Sequence, residues 1–275
     1  METQANCFID DYADIVSIVY TSENTPGPGC DLVKFESQIC SACSCSSGDC
    51  SVESACSCIV LSRDHNYKSL TKDNLKVKVL HNDKLNSDIG PVFECSDLCS
   101  CSSSSCQNRL VQFGPRKSLF IQDDSKKGSC LFTSSPILKG EFICEYAGEV
   151  ISKQEARRRF KADSEANKMN YIFVLREIFA NDVSETIVDP SYIGNIGRFI
   201  NHSCKPNAGI VPVRVNSVTP KLAIFALSNI RANTEITISY SAVASSVPID
   251  KAHGRKPCHC AEDNCAKYLP YDANI

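Results

Sequence analysis

Val188–Cys204 reads VDPSYIGNIGRFINHSC, and its last residue governs how the two ends of the chain meet. Cys204 is the one isolated cysteine set inside a polar motif, whereas the other candidate ligands come in groups. Far downstream lie Cys258, Cys260 and Cys265 in C-x-C-x4-C spacing. Three thiolates leave a tetrahedral zinc shell one ligand short, so the spacing predicts that Cys204 supplies the fourth. Closing that shell pulls the tail onto the region of Asn201 and His202, where the ion would build a pocket wall as well as staple the fold.

Toward the N-terminus the thiols are denser. Cys43, Cys45, Cys50, Cys56 and Cys58 are spaced C-x-C-x4-C-x5-C-x-C, and Cys95, Cys99, Cys101 and Cys106 are spaced C-x3-C-x-C-x4-C. Nine thiolates complete three tetrahedral zinc shells when three sulfurs bridge, and an all-cysteine shell has no position for water or substrate, so such ions are structural. Cys40, three residues before Cys43, is a possible substitute for one of the nine. The alternative for so many cysteines is a disulfide knot. Met1–Val16, METQANCFIDDYADIV, has no cationic segment leading into an apolar stretch, which favours a reducing compartment and metal over disulfides. The polar stretch Ile59–Val92 between the two bursts reads as an exposed connection.

The remaining composition is that of a globular protein: 275 residues, 43% hydrophobic, 22% charged and no Trp. That is enough for one large or two modest domains. A formal charge of −3 argues against a protein that mainly neutralises nucleic-acid phosphates. No apolar run approaches the roughly 20 residues needed to cross a bilayer. Across residues 119–241 short β-rich runs (SLFIQD, EFICEYAGEVI, NYIFVL, ETIVDP, AGIVPVRV, KLAIFAL, EITISY) alternate with Gly, Pro, Asn and Asp, which predicts a mostly β domain. One helix has a clear start: Ser152 and Glu155 form a capping box ahead of EARRRFKA. Arg157–Arg159 then reads as a solvated helix face rather than a localisation signal.

Together these residues resemble the SET-domain protein-lysine methyltransferases, in particular the group with a nine-cysteine pre-SET module and a C-x-C-x4-C post-SET module. Besides the cysteines, the likeness is carried by VFEC (Val92–Cys95), CQNR (Cys106–Arg109), CEYAGEV (Cys144–Val150), NYI (Asn170–Ile172) and Val188–Cys204. It covers about residues 26–275. It implies an N-terminal segment 1–39, a pre-SET module 40–108 with three zinc ions, a SET catalytic domain 109–257, and a post-SET module 258–275 with one zinc ion. The implied fold is mostly β with few short helices, a SET β-clip in which NHSC and the segment near Tyr240 form a threaded pseudoknot.

The resemblance further implies methyl transfer from S-adenosylmethionine to a lysine ε-amine, with cofactor and lysine entering from opposite faces. Tyr240 matches the family's catalytic tyrosine at the end of an E-x-x-x-x-Y pattern, and Tyr171 shares the catalytic and cofactor-binding roles. Lys127, Gly128, Ser129, Arg198, Asn201, His202 and Leu269 match cofactor-binding positions. Tyr146, Tyr192 and Ile238 match the substrate channel. His202 has a second reading, as a zinc ligand beside Cys204, but four cysteines leave that shell no vacancy. Three positions depart from the family pattern: Gly128-Ser129-Cys130 stands where G-W-G is usual, Ile238 where Phe or Tyr is usual, and Ser239 where Asp is usual.

The implied protein is a nuclear, chromosome-associated enzyme acting on the histone H3 tail or nucleosome, with lysine nine the favoured site and another H3 lysine left open, and with neither membrane nor direct nucleic-acid binding indicated. The alternative, motivated by the three departures, is a catalytically silent SET module that binds histone tails or chromatin partners. With thirteen thiolates and four zinc ions in place, the formal charge moves from −3 to about −8, which suits a Lys/Arg-rich tail. Cys7, Cys30, Cys40, Cys130 and Cys144 are left without a metal role.

Overall fold

The run KLAIFA is apolar at five successive positions, so a strand there must bury both of its faces, and the computed structural model places it between two cores. Lys221–Ala226 pairs antiparallel with Ala208–Arg214, Ala208 opposite Ala226 and Val213 opposite Lys221. Leu222, Ile224 and Ala226 join a core with Leu131, Ile143, Phe199 and Ile236. Ala223 and Phe225, one residue out of phase, join a second core with Tyr67, Leu80, Val111 and Phe142. This is the period-2 pattern of a strand covered on both sides. The structure describes residues 18–45, 50–85, 91–101, 104–179, 182–240 and 256–270; Met1–Val16 and Cys7 lie outside the described residues.

Each β-rich run forms a strand, with two adjustments. EFICEYAGEVI divides into Phe142–Glu145 and Gly148–Val150, and EITISY falls into the short strands Thr234–Glu235 and Thr237–Ile238. Val92–Phe93, Ala208–Arg214, Lys221–Ala226 and Phe142–Glu145 make one sheet; Thr234–Glu235, Gly128–Thr133 and Leu119–Asp124 make another. In a third, the long strand Asp182–Gly194 pairs antiparallel with Phe173–Phe179 and with Gly148–Val150. The N-terminal segment straps this sheet: Val19–Tyr20 runs parallel to Ile193–Gly194, and Thr25–Pro26 runs parallel to Glu149–Val150.

Three expectations are corrected. Ile59–Val92 is not an exposed connection. It contains the hairpin Tyr67–Lys72 and Leu75–Leu80, turned by Asp73 and Asn74 at φ 49° and 62°, and it buries Ile59, Tyr67, Val79 and Leu80. Two left-handed residues between paired strands are the geometry that matches strand twist. The capping box is only half made. Ser152 Oγ accepts from Glu155 N at 3.2 Å, but Ser152 N donates to Pro28 O and the Glu155 carboxylate accepts from Arg158 and Arg159. Finally, Arg157 and Arg158 are solvated whereas Arg159 is buried, with Nη1 donating to Glu149 Oε2 at 2.7 Å and to Asp189 Oδ2 at 2.8 Å. The helix Lys153–Glu165 is thus riveted to the strands that lead into the site.

Candidate active site and metal centres

The two chain segments around the site cross as a short parallel pair, Asn201 opposite Thr237 and His202 opposite Ile238. Such a pairing leaves Ser203 and, two residues past Ile238, Tyr240 little freedom. Ser203 N donates to Ile238 O at 3.0 Å, Tyr240 N donates to His202 Nδ1 at 3.2 Å, and the Tyr240 hydroxyl donates to Ile200 O at 3.0 Å. Tyr240 is therefore held at both ends by one five-residue stretch. Gly197 permits the close approach beneath it, since a Cβ there would lie 2.5 Å from Glu145 O.

Tyr146 and Tyr171 join Tyr240. The Tyr146 hydroxyl donates to Tyr171 O at 2.5 Å, and its ring packs on Phe173 with centroids 6.0 Å apart. Burial, then the neighbouring Tyr171 and Glu235, raises the Tyr240 hydroxyl above its ordinary pKa. Burial, then Tyr240 and Asp189, raises Tyr146 well above its own. Both phenols are neutral at physiological pH. Each spends its proton on a backbone carbonyl, which leaves the phenolic oxygen free to accept from a donor entering the channel.

Beside them the Arg198 guanidinium stacks over the Tyr171 ring at 4.4 Å and over Phe199 at 5.4 Å. The residue is 7% exposed, and its Nε and Nη1 are buried with no hydrogen-bond partner among the described residues. A buried, always-charged group with unused donors is costly unless an acceptor is supplied. A carboxylate is the group that fits it. Asn201 Nδ2 donates to Ser129 O at 3.2 Å and to Cys130 Sγ at 3.1 Å, and approaches Glu235 Oε1 at 3.4 Å; Lys127 Nζ pairs with the other Glu235 oxygen. Lys127 and Asn201 are thereby gathered on Glu235, with Ser129 joined to them through Asn201. Gly128 sits at φ +76°, with nothing within 4 Å of the space a side chain would take. Ser129 and Cys130 have ordinary φ and continue the strand, so the missing second glycine costs this backbone nothing.

Of the other expected residues, Ile238 packs in the core that carries Tyr146 and Tyr240, while Tyr192 and Leu269 lie farther out. Tyr192 is 60% exposed, its ring under Arg159 at 5.3 Å rather than against the tyrosine cluster. Ile238 is 1% exposed and belongs to the main core. Leu269 is half-buried on the tail, its N–H donating to Lys256 O at 2.9 Å. Glu235, the hub of the polar network, had only its place at the head of the E-x-x-x-x-Y pattern to single it out. Cys130 had no signal beyond its place in the altered glycine motif.

The cysteines gather as their spacing predicts. Cys204, Cys258, Cys260 and Cys265 have sulfurs mutually within 4.8 Å, and overlapping groups of four draw on all of Cys43, Cys45, Cys50, Cys56, Cys58, Cys95, Cys99, Cys101 and Cys106. Zinc–sulfur bonds of about 2.3 Å at tetrahedral angles separate sulfurs by about 3.8 Å. Cys43–Cys50 at 3.9 Å, Cys43–Cys101 at 3.8 Å, Cys58–Cys99 at 3.6 Å and Cys204–Cys258 at 3.9 Å match that spacing. It is nearly twice a disulfide bond length, and every described cysteine is free. Cys40 is exposed, turns to Gln38 O and joins no group. His202 is in none of the groups either, but its Nε2 lies 3.4 Å from Cys204 Sγ. Burial lowers the pKa of this ring. Since Nδ1 accepts from Tyr240, the neutral ring carries its proton on Nε2, facing the thiolate.

Comparison with known proteins agrees with this geometry. Residues 128–241 match the SET domain model and residues 3–109 the Pre-SET motif model. The chain is 40% identical over 264 residues to the rat histone-lysine N-methyltransferase SETMAR, spanning 93% of this chain and 80% of the relative. The crystal structure of the methyltransferase domain of human SETMAR superposes with a TM-score of 0.75 at 38% identity, over 93% of this chain and 90% of that one. A structure of KRYPTONITE in complex with mCHH DNA, an H3(1-15) peptide and SAH superposes with a TM-score of 0.65 at 26% identity, over 92% of this chain and 48% of that one.

Proposed function

Because the chain belongs to the SET-domain histone-lysine N-methyltransferases that carry a Pre-SET motif, we propose that it transfers a methyl group from S-adenosylmethionine to lysine nine of the histone H3 tail. It is a protein-lysine methyltransferase, and a histone substrate implies work on nuclear chromatin. The observation that carries the cofactor reading is the buried Arg198, whose two unpartnered nitrogens fit the carboxylate of an amino-acid moiety. When bound, S-adenosylmethionine supplies an electrophilic methyl group on a sulfonium sulfur.

Lys127, Gly128, Ser129, Tyr171, Arg198, Asn201, His202 and Leu269 are the residues assigned to hold the cofactor. Gly128 leaves open space at its α-carbon, and Arg198 meets the carboxylate. Tyr240 and Tyr146 orient the substrate amine. Their hydroxyl protons are committed to Ile200 O and Tyr171 O, so each oxygen accepts an amine N–H and the nitrogen lone pair is left to point elsewhere. Such alignment can remove several kcal/mol from an in-line displacement. Neither phenol is the base, since both are held neutral. The substrate ammonium loses its proton because entering a buried channel disfavours its charge. Ile238, beneath the knot, and Tyr192, at the outer rim, are the remaining channel assignments. For zinc we assign three ions to the nine pre-SET cysteines and one to Cys204, Cys258, Cys260 and Cys265.

The test incubates the purified chain with labelled cofactor and H3 peptides carrying Lys or Ala at position nine, beside Tyr240→Phe. Incorporation that depends on lysine nine and falls about 100-fold in the variant supports the assignment. Incorporation unchanged in the Ala peptide moves the substrate to another lysine. Tail binding with no incorporation by either protein identifies a silent binding module.

A further inference from the structure

We propose that Arg109 is the counter-cation of the nine-thiolate cluster and helps retain its zinc, an inference that rests on the three-ion assignment above. Nine thiolates and three Zn²⁺ leave a formal charge of −3 at the cluster. The sulfurs are well shielded: Cys95 is fully buried, and Cys56 and Cys106 are 1% exposed. Net charge in such surroundings is costly unless a partner of opposite sign sits close by.

The guanidinium of Arg109 is placed for that task. Its Nη2 lies 3.6 Å from Cys101 Sγ while donating to Ser96 O at 2.7 Å and Cys101 O at 3.5 Å. Nη1 donates to Gln112 Oε1 at 2.9 Å, and Nε is buried with no hydrogen-bond partner among the described residues. The carboxylate it approaches is Asp97, 3.9 Å away on a side chain that is 80% exposed, too solvated to be the main partner. A permanent cation that is itself buried has therefore been set against sulfur and carbonyl oxygen. The groups around it act in the same direction. Asn108 donates through Nδ2 to Cys95 Sγ at 3.5 Å and through its backbone N to Cys106 Sγ at 3.3 Å. Lys78 Nζ donates to Cys106 O at 2.7 Å and Arg109 O at 2.9 Å, a second cation behind the same turn. Cys50, Cys95, Cys101 and Cys106 form one of the four-sulfur groups, so the corner that Arg109 serves is a complete ligand set.

Partners just outside a metal's ligands typically change its affinity by about 10–100-fold. The test uses the full chain with Arg109→Gln and Arg109→Lys, counting zinc by native mass spectrometry and timing its release to a chromogenic chelator. Cys204→Ser is included so that the tail ion is counted apart. Arg109→Gln is expected to release zinc at least about tenfold faster than wild type, and Arg109→Lys, which keeps the charge but not the fork, several-fold faster. Release by Arg109→Gln at the wild-type rate overturns the proposal, and so does equal release by the Lys and Gln variants, which would assign the effect to loop bracing. If Arg109→Gln fails to fold, Arg109→Met takes its place as the uncharged variant, and release from it no faster than from Arg109→Lys overturns the proposal. A wild-type chain with fewer than three ions beyond the tail site would instead refute the three-ion assignment, before any variant is compared.

Discussion

Arg159 is the residue whose removal should unsettle the fold most for the smallest change in shape. Its Nη1 is shared between Glu149 and Asp189, its Nε goes to Glu155 Oε1 at 2.8 Å, and its charge lies over the Tyr192 ring. Asp189 is fully buried and Glu149 is 8% exposed. Replacing Arg159 with Met keeps most of the aliphatic volume but leaves two buried carboxylates facing each other. Asp189 retains only Ser191, whose N–H and hydroxyl both go to Oδ1. Breaking a buried ion pair from one side costs about 3–5 kcal/mol, a large part of a typical total of about 5–15 kcal/mol. In urea, with a slope of about 1–3 kcal/mol per molar, the midpoint should fall by roughly 1–5 M. Arg158→Met is the internal control. It lies one residue away on a side chain that is 68% exposed, and its pair with Glu155 should contribute less than about 1 kcal/mol. Equal midpoints for the two variants would refute the idea that the buried triad ties the helix to the sheet.

Two further outcomes follow from the same geometry. Burial pushes the Glu145 carboxyl up to about 7, against the downward pull of the Lys221 ammonium 3.0 Å away. A carboxyl raised in the folded state favours folding below its unfolded value near 4.3, and that contribution is lost as pH rises through 7. Relative to Glu145→Gln, wild type should therefore lose up to about 3 kcal/mol between pH 4.5 and 8, read as urea midpoints at stepped pH. A difference that stays flat with pH would show that Lys221 dominates instead. Cys204→Ser should lower the zinc count by one and leave the pre-SET ions in place, while methyl transfer falls because His202 loses the thiolate opposite Nε2. Loss of several ions in native mass spectra would mean that the two metal centres are not independent.

What could be read from the sequence was whatever a short spacing or a fixed stoichiometry encodes. A tetrahedral shell needs four ligands, so three clustered tail cysteines pointed to Cys204, and the structure brings those four sulfurs together. Short β-rich runs bounded by turn residues located KLAIFA and AGIVPVRV, because near-continuous apolar stretches of that length suit strands covered on both faces. The hairpin at residues 67–80 has no such run: its first strand, YKSLTK, is polar and exposed over most of its length, which made it look like a linker. Its signal was the Asp73-Asn74 pair, which tolerates the left-handed turn. Arg159 was illegible because a run of three arginines does not say which of them faces the core. That is settled only when Glu149 and Asp189 arrive from two strands. The surface position of Tyr192 was illegible for the complementary reason: it depends on the same arginine, which lies over its ring.

The stretch Ile200–Cys204 shows why one heptapeptide, RFINHSC, could carry so much. Ile200 O receives the Tyr240 hydroxyl, His202 Nδ1 receives the Tyr240 N–H, and His202 Nε2 and Cys204 Sγ face each other 3.4 Å apart. The tyrosine proposed to orient the amine and the sulfur proposed to anchor the tail are thus fixed by the same few backbone units. A shift of Cys204 on losing its metal partners would be passed through the imidazole to Tyr240 within a single hydrogen-bond chain. In this protein the tail cysteine group and the tyrosine proposed to orient the amine have to be placed together, which is why a sequence constraint on one is also a constraint on the other.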